Sequence, residues 1–162
     1  TGQISPLQLK AAGVSYCIVG HSEKRLEGES DGQINKKILS LLEHKITPVF
    51  CIGYGTTIKQ DELEVVDILK QQLKIGLGKA NSKKVIVAYE PVWAIGSGKS
   101  SKPEHAEQIA MFIKNKFDVG KVLYGGSVNS TNSNEFLDQR HIDGLLVGGA
   151  SLLPEDFNKI IN

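Results

Sequence analysis

Residues 84–90, KVIVAYE, run from a lysine through five apolar positions into a carboxylate. An unbroken apolar run of strand length, rich in Val and Ile, predicts a strand covered on both faces, as in a parallel sheet flanked by helices. Four more runs of this kind follow the same beat: VSYCIVG (14–20), ITPVFCIG (46–53), KVLYGG (121–126) and IDGLLVGG (142–149). Between them lie amphipathic stretches. GQINKKILSLLEHK (32–45) has apolar residues at 34, 38, 41 and 42, and DELEVVDILKQQLKIGL (61–77) at 65, 66, 69 and 73 behind acidic first turns. SKPEHAEQIAMFIKNKF (101–117) has them at 106, 109, 110 and 113 and opens at Pro103. Spacings of three and four predict helices. NSTNSNEFLDQ (129–139) reads as one short helix, LPEDFNKII (153–161) as a closing helix, and a helix at 5–12 precedes everything. The result is five β/α units in one α/β domain, with no linker or low-complexity segment. Two architectures fit: a doubly wound sheet, or part of a (β/α)₈ barrel, which when closed needs eight strands in about 250 residues.

Composition excludes several function classes. Of the 162 residues, 19 are Lys or Arg and 18 Asp or Glu, a net charge of +1 that offers no electrostatic footprint for nucleic acid or a membrane surface. The longest apolar runs are far short of a membrane span. No basic region followed by an apolar one opens the chain, so export is not expected and the cytoplasm is the expected location. Thr1 in place of a methionine points to processing or truncation. Cys17 and Cys51 lie inside apolar runs without metal or redox spacing and read as small buried hydrophobes of a reducing compartment.

Parallel β/α folds place their sites at the carboxyl ends of the strands. His21 leaves the first strand in GHSEKR, and reads either as a general acid or electrophile or as a capped surface histidine. Glu90 ends KVIVAYE at the border of a buried wall, where desolvation favours a base, though a salt bridge at the rim fits as well. Two glycine pairs, in YGGSV (124–128) and VGGAS (147–151), end the last two strands. They suit either tight turns or a phosphate nest made of backbone N–H groups and short helix starts, with 129–139 as the extra short helix. The loop PVWAIGSGKS (91–100), stiff at Pro91 and Trp93 and glycine-rich at its tip, reads as a plain connection or as a lid that excludes water.

Taken together, TGQISPLQLKAAG (1–13), GHSE (20–23), AYEPVWAIGSGK (88–99), YGGSV (124–128) and DGLLVGGASL (143–152) resemble the triosephosphate isomerase family, in order and over the whole chain. The resemblance implies a (β/α)₈ TIM barrel, of which these are the last five units, and interconversion of dihydroxyacetone phosphate and D-glyceraldehyde 3-phosphate. It implies Glu90 as the base that moves a proton between adjacent carbons, and His21, held neutral, as the electrophile. Ser22 would open the following turn, with Glu23 behind it. Residues 93–99 would form the lid whose Gly96 N–H meets the phosphate. Ser127, Gly148 and Gly149 would supply further phosphate contacts, and Tyr124 with Ser127 would latch the closed lid. No metal or organic cofactor is implied, and a homodimer is.

The sequence also departs from the family. The family begins with three β/α units absent here, the first ending in an N-x-K motif whose lysine binds substrate. No strand here ends in that motif, and Lys99 belongs to the lid. Glu23 would lose a lysine partner. Tyr54 stands after CIG where the family has glutamate, and the 23–30 stretch is one residue shorter. Thr1 corresponds to the tip of the intersubunit loop. The expectation is therefore five-eighths of a barrel with two unpaired edges and a half-open core, inactive or nearly so alone. Two alternatives stand beside it. One is another phosphate-binding barrel enzyme, such as a sugar-phosphate epimerase or an indole-glycerol-phosphate synthase. The other is a non-catalytic fragment or interaction module.

Overall fold

The computed structural model describes residues 3–92 and 101–162. The described elements are α1 (Pro6–Ala11), β1 (Tyr16–Val19), α2 (Ser22–Leu26), α3 (Asp31–Glu43), β2 (Thr47–Ile52), α4 (Glu62–Leu77), β3 (Ile86–Tyr89), α5 (Pro103–Phe117), β4 (Lys121–Tyr124), α6 (Ser133–Leu137), β5 (Gly144–Leu145) and α7 (Pro154–Ile161). All four strand pairings are parallel, and the order across the sheet is β1-β2-β3-β4-β5. A doubly wound sheet reverses its order at a switch point, whereas a sheet that keeps chain order winds one way only. The sequential order matches an arc of a (β/α)₈ barrel and answers the choice the apolar runs leave open.

Local chemistry sets the helix starts. Ser5 with Gln8, Ser30 with Gln33 and Asp61 with Glu64 form reciprocal capping boxes at α1, α3 and α4. The predicted stripes are the faces that go inside: Ile34, Ile38 and Leu41 of α3, Val65, Leu69 and Leu73 of α4, and Ala106, Ile109, Ala110 and Ile113 of α5 are all buried. They pack with Phe50, Ile52, Val87, Tyr89, Val122 and Tyr124 from the sheet, forming the main core.

The opposite, inner face carries a much smaller cluster. Val49, Cys51 and Ala88 are buried there, with Ile86, Leu123 and Leu146 only half-covered around them. At the β1 edge Tyr16 is 63% and Ile18 51% exposed. β1 and β5 each pair on one side only. This is the half-open core and the pair of free edges that five units imply.

Three details differ from the sequence reading. β5 is two residues long rather than spanning 142–149, its regular ladder with β4 being confined to the pairs Leu123–Gly144 and Tyr124–Leu145. Its pairing with β4 continues irregularly through Asp143 N to Val122 O and Leu146 N to Tyr124 O, both 2.8 Å. The residues after His21, expected to form a turn, form the helix α2. Short 3₁₀ turns also stand at Ser82–Lys84 and Gly149–Leu152. Among the described residues no helix is long and apolar enough to cross a membrane.

Candidate active site

β1 hands the chain to His21 and β3 hands it to Glu90, and the register brings the two ends together. The β2–β3 ladder pairs Ile52 with Tyr89, and Glu90 N donates to Ile52 O at 2.8 Å one step further on. The Glu90 residue is 3% exposed. His21 Nε2 lies 3.3 Å from Glu90 Oε1. The histidine caps α2, its Nδ1 accepting the Glu23 N–H at 3.4 Å. An Nδ1 that accepts must be unprotonated, so we assign the Nε2–H tautomer, with that proton directed at the Glu90 carboxylate. The Glu23 carboxylate is 81% exposed and 4.0 Å from Nδ1, too wet to bind the ring tightly.

Burial raises the Glu90 pKa above its ordinary value; His21, the Cys51 thiol, the Ser22 N–H and the Arg25 charge act in the opposite direction. The Cys51 thiol in turn is pushed up by burial and by the Glu90 charge, so it remains a thiol and donates to the carboxylate. Cys51 is thus a small buried residue, as read from sequence, and also a partner of Glu90, which an apolar run cannot reveal. Its side chain shares the inner face with Ala88.

The sign of the Glu90 shift gives a stability prediction. A folded-state pKa above the unfolded value of 4.5 means the native protein holds its proton longer than the unfolded chain. That contribution is complete below the unfolded pKa and is lost as pH rises through the folded one. Glu90→Gln is therefore expected to stabilise the fold at pH 7.5, and to show little difference from the parent at pH 4. Urea unfolding at the two pH values measures this; equal stabilities at pH 7.5 would contradict it.

The two glycine pairs separate into different roles. A Cβ at Gly125 would come 2.9 Å from Glu90 Cγ, and one at Gly126 would come 2.2 Å from the Tyr124 hydroxyl. The first pair therefore leaves room for protein atoms. A Cβ at Gly148 or Gly149 would meet nothing within 4 Å, and both residues are exposed. Ser127, directly after the first pair in sequence, is half-buried, its carbonyl accepting from Asn132 Nδ2 at 3.1 Å. The short helix expected over 129–139 occupies only Ser133–Leu137, and its Phe136 stacks on Tyr124 with ring centroids 4.0 Å apart. That seats the Phe136 face of α6 on the outer core, with Asn134, Glu135 and Leu137 left exposed. The turn that directly follows the second glycine pair is the 3₁₀ segment Gly149–Leu152.

The expected lid, residues 93–99, lies outside the described residues, and Gly96 and Lys99 with it. Where the chain returns, Ser101 N donates to the Tyr124 hydroxyl at 3.0 Å. Burial pushes the Tyr124 pKa up to about 12. Tyr124 thus holds the exit of that loop to β4. Two sequences of the form N-x-K do occur, but at other places. Lys37 sits on α3 and pairs with Glu29, and Lys83 pairs with Asp118 at 3.2 Å just before β3, at the end remote from Glu90. Beyond Tyr54, Gln72 accepts from Gly53 N at 2.8 Å and donates to Tyr54 O at 2.6 Å, which fixes the β2 exit. Arg25, not singled out from sequence, is buried beside this site; the only hint was its place four residues after His21.

The triosephosphate isomerase family model matches residues 1–162. Triosephosphate isomerase of Caldanaerobacter subterraneus subsp. tengcongensis is 41% identical, with all of this chain aligned to 70% of that protein's length. The Thermoanaerobacter sp. (strain X514) protein of the same name is also 41% identical over the same shares. That of Dictyoglomus turgidum is 42% identical over 99% of this chain and 70% of its own. With a sequential parallel sheet, a histidine and a buried glutamate in contact at its carboxyl end, and a family model that matches this chain from end to end, the chain belongs to the triosephosphate isomerase family.

Proposed function

We propose that this chain carries the base, the electrophile and the phosphate-binding turns for interconverting dihydroxyacetone phosphate and D-glyceraldehyde 3-phosphate, in the cytoplasm and as part of a homodimer. The observation that carries this reading is the 3.3 Å contact between His21 Nε2 and a Glu90 carboxylate raised in pKa by burial. A substrate entering between them exchanges that contact for two new ones. The Glu90 carboxylate takes the proton from the carbon next to the carbonyl. The His21 Nε2–H donates to the carbonyl oxygen as charge develops there, so that an enediolate forms. His21 carries the hydroxyl proton from one enediolate oxygen to the other, and Glu90 returns its own proton to the former carbonyl carbon. A base of raised pKa is better matched to this proton than an ordinary exposed carboxylate. The open turn at Gly148 and Gly149, together with Ser127 and with Gly96 of the 93–99 loop, holds the phosphate in this reading. Closing the loop excludes water, which would otherwise favour loss of phosphate from the enediolate. The homodimer is what the family resemblance implies.

The enediolate also calls for a cation, which the resemblance assigns to a lysine that no strand among the described residues supplies. The test compares two proteins in a coupled assay: the chain alone, and the chain joined to the 30% or so of the Caldanaerobacter relative that it does not match. The joined protein is expected to turn over both triose phosphates, and the chain alone to stay at the buffer background. A joined protein that folds, by circular dichroism and a cooperative melt, yet does not isomerise would defeat the proposal. Normal turnover by the chain alone would defeat the requirement for the lysine.

A further inference from the structure

We propose that Arg25 is a positioning residue: its guanidinium bridges β1 and β2 where their backbone pairing stops, and so sets the separation of His21 and Glu90. The regular β1–β2 ladder ends at the pair Val19 and Phe50. Gly20 then turns the chain away with φ +69°, so the carbonyls of Gly20 and Cys51 have no ladder between them. Arg25 fills that place. Its Nε donates to Gly20 O at 2.7 Å, and its Nη2 to Cys51 O at 3.1 Å. A planar guanidinium can span two carbonyls at a fixed spacing, and an ammonium cannot.

The fork reaches these carbonyls because α2 begins at once. Arg25 N donates to His21 O at 3.1 Å, and this first helical turn brings the side chain back to the strand end. A third arm donates to Asp31 Oδ1, the first residue of α3, at 2.6 Å, with the Arg25 side chain 5% and that of Asp31 18% exposed. The ring of Phe50 lies 6.0 Å away. Gly20 has no space for a side chain, since a Cβ would stand 2.9 Å from Ile34 Cδ1 and 3.3 Å from Arg25 Nη2.

What the fork holds are the anchors of the reacting pair. Gly20 is joined directly to His21. Cys51 meets the Glu90 carboxylate through its thiol, and the next residue, Ile52, accepts the Glu90 N–H. The two side chains thus come from strand ends that regular backbone pairing no longer couples, and Arg25 restores the coupling.

The meaning of this inference rests on the proposed roles of His21 and Glu90, but its test needs neither substrate nor turnover, so either idea can fail alone. The readout is the nuclear Overhauser cross-peak between the His21 ring proton next to Nε2 and the Glu90 γ-methylene, in the chain as it is. Arg25→Lys keeps the charge and removes the fork. It is expected to retain amide dispersion while that cross-peak falls at least twofold. Asp31→Asn removes the charge partner but leaves both carbonyl contacts. It is expected to lose stability and to keep the cross-peak. If Arg25→Lys does not fold, Arg25→Gln takes its place with the same expected loss. A folded Arg25 variant with an undiminished cross-peak would overturn the proposal. So would an Asp31→Asn protein that loses the cross-peak equally, since the effect would then be general loosening. Failure of both Arg25 variants to fold would also overturn it, because a bridge confined to one strand end cannot by itself abolish the fold.

Discussion

Replacing Glu90 by glutamine in the joined protein described above is expected to lower kcat for triose phosphate interconversion by about 10³-fold, or roughly 4 kcal/mol of barrier, with little change in KM. Glutamine fills nearly the same buried space and still accepts the His21 Nε2–H, so the fold persists and becomes somewhat more stable. What it cannot do is take a proton. Glu90→Asp tests position separately. The carboxylate remains but withdraws by one methylene, and a displacement on the scale of an ångström costs about 10²-fold. Steady-state kinetics in both directions measure the two variants. Activity of Glu90→Gln within threefold of the parent would remove Glu90 from the role of base.

Gly53→Ala is expected to be the most damaging small substitution at the site. Gly53 follows β2 with φ +113°, where an alanine is strained. A Cβ there would also stand 2.2 Å from Glu90 O and 2.8 Å from Glu90 C, against backbone that has no freedom to yield. Gly53 is pinned as well, its N–H donating to Gln72 Oε1 at 2.8 Å and its carbonyl accepting from Thr56 Oγ1 at 2.7 Å. Strain and overpacking together are expected to cost about 3 kcal/mol, a fall in Tm of roughly 6–12 °C for a chain of this size. Gly55→Ala is the control. It has φ +87° but nothing within 4 Å, so it carries the strain without the clash and should cost about 1 kcal/mol. Thermal melts of the two variants decide it, and a Gly53→Ala protein no less stable than Gly55→Ala would contradict the close approach.

The strands and the long helices were legible because their signals are local. The stripe at 65, 69 and 73 and the run at 84–90 each state their own burial. His21 and Glu90 were legible for a related reason: a polar residue that ends an apolar run marks the carboxyl end of a strand, where this class of fold keeps its chemistry. The shortness of β5 was not legible, since the run IDGLLVGG does not show how far its backbone pairs with β4. Nor was α6. The sequence 129–139 predicts a short helix, but only the stack of Phe136 on Tyr124 shows that it belongs to the outer core.

Sequence by itself thus determined which residues are apolar, where β1 to β4 lie and which chemical groups follow them. The tertiary structure showed the order of strands directly, and with it the barrel arc that the family resemblance implies and the apolar runs by themselves leave open. It also decided that YGG makes room for Glu90 and Tyr124 while VGG borders open space. It alone joined Cys51 and Arg25 to the site. The physical reason is that these roles are set by which atoms lie opposite one another across parallel strands. Neighbours in that sense come from separate β/α units, and no local pattern encodes the distance between them.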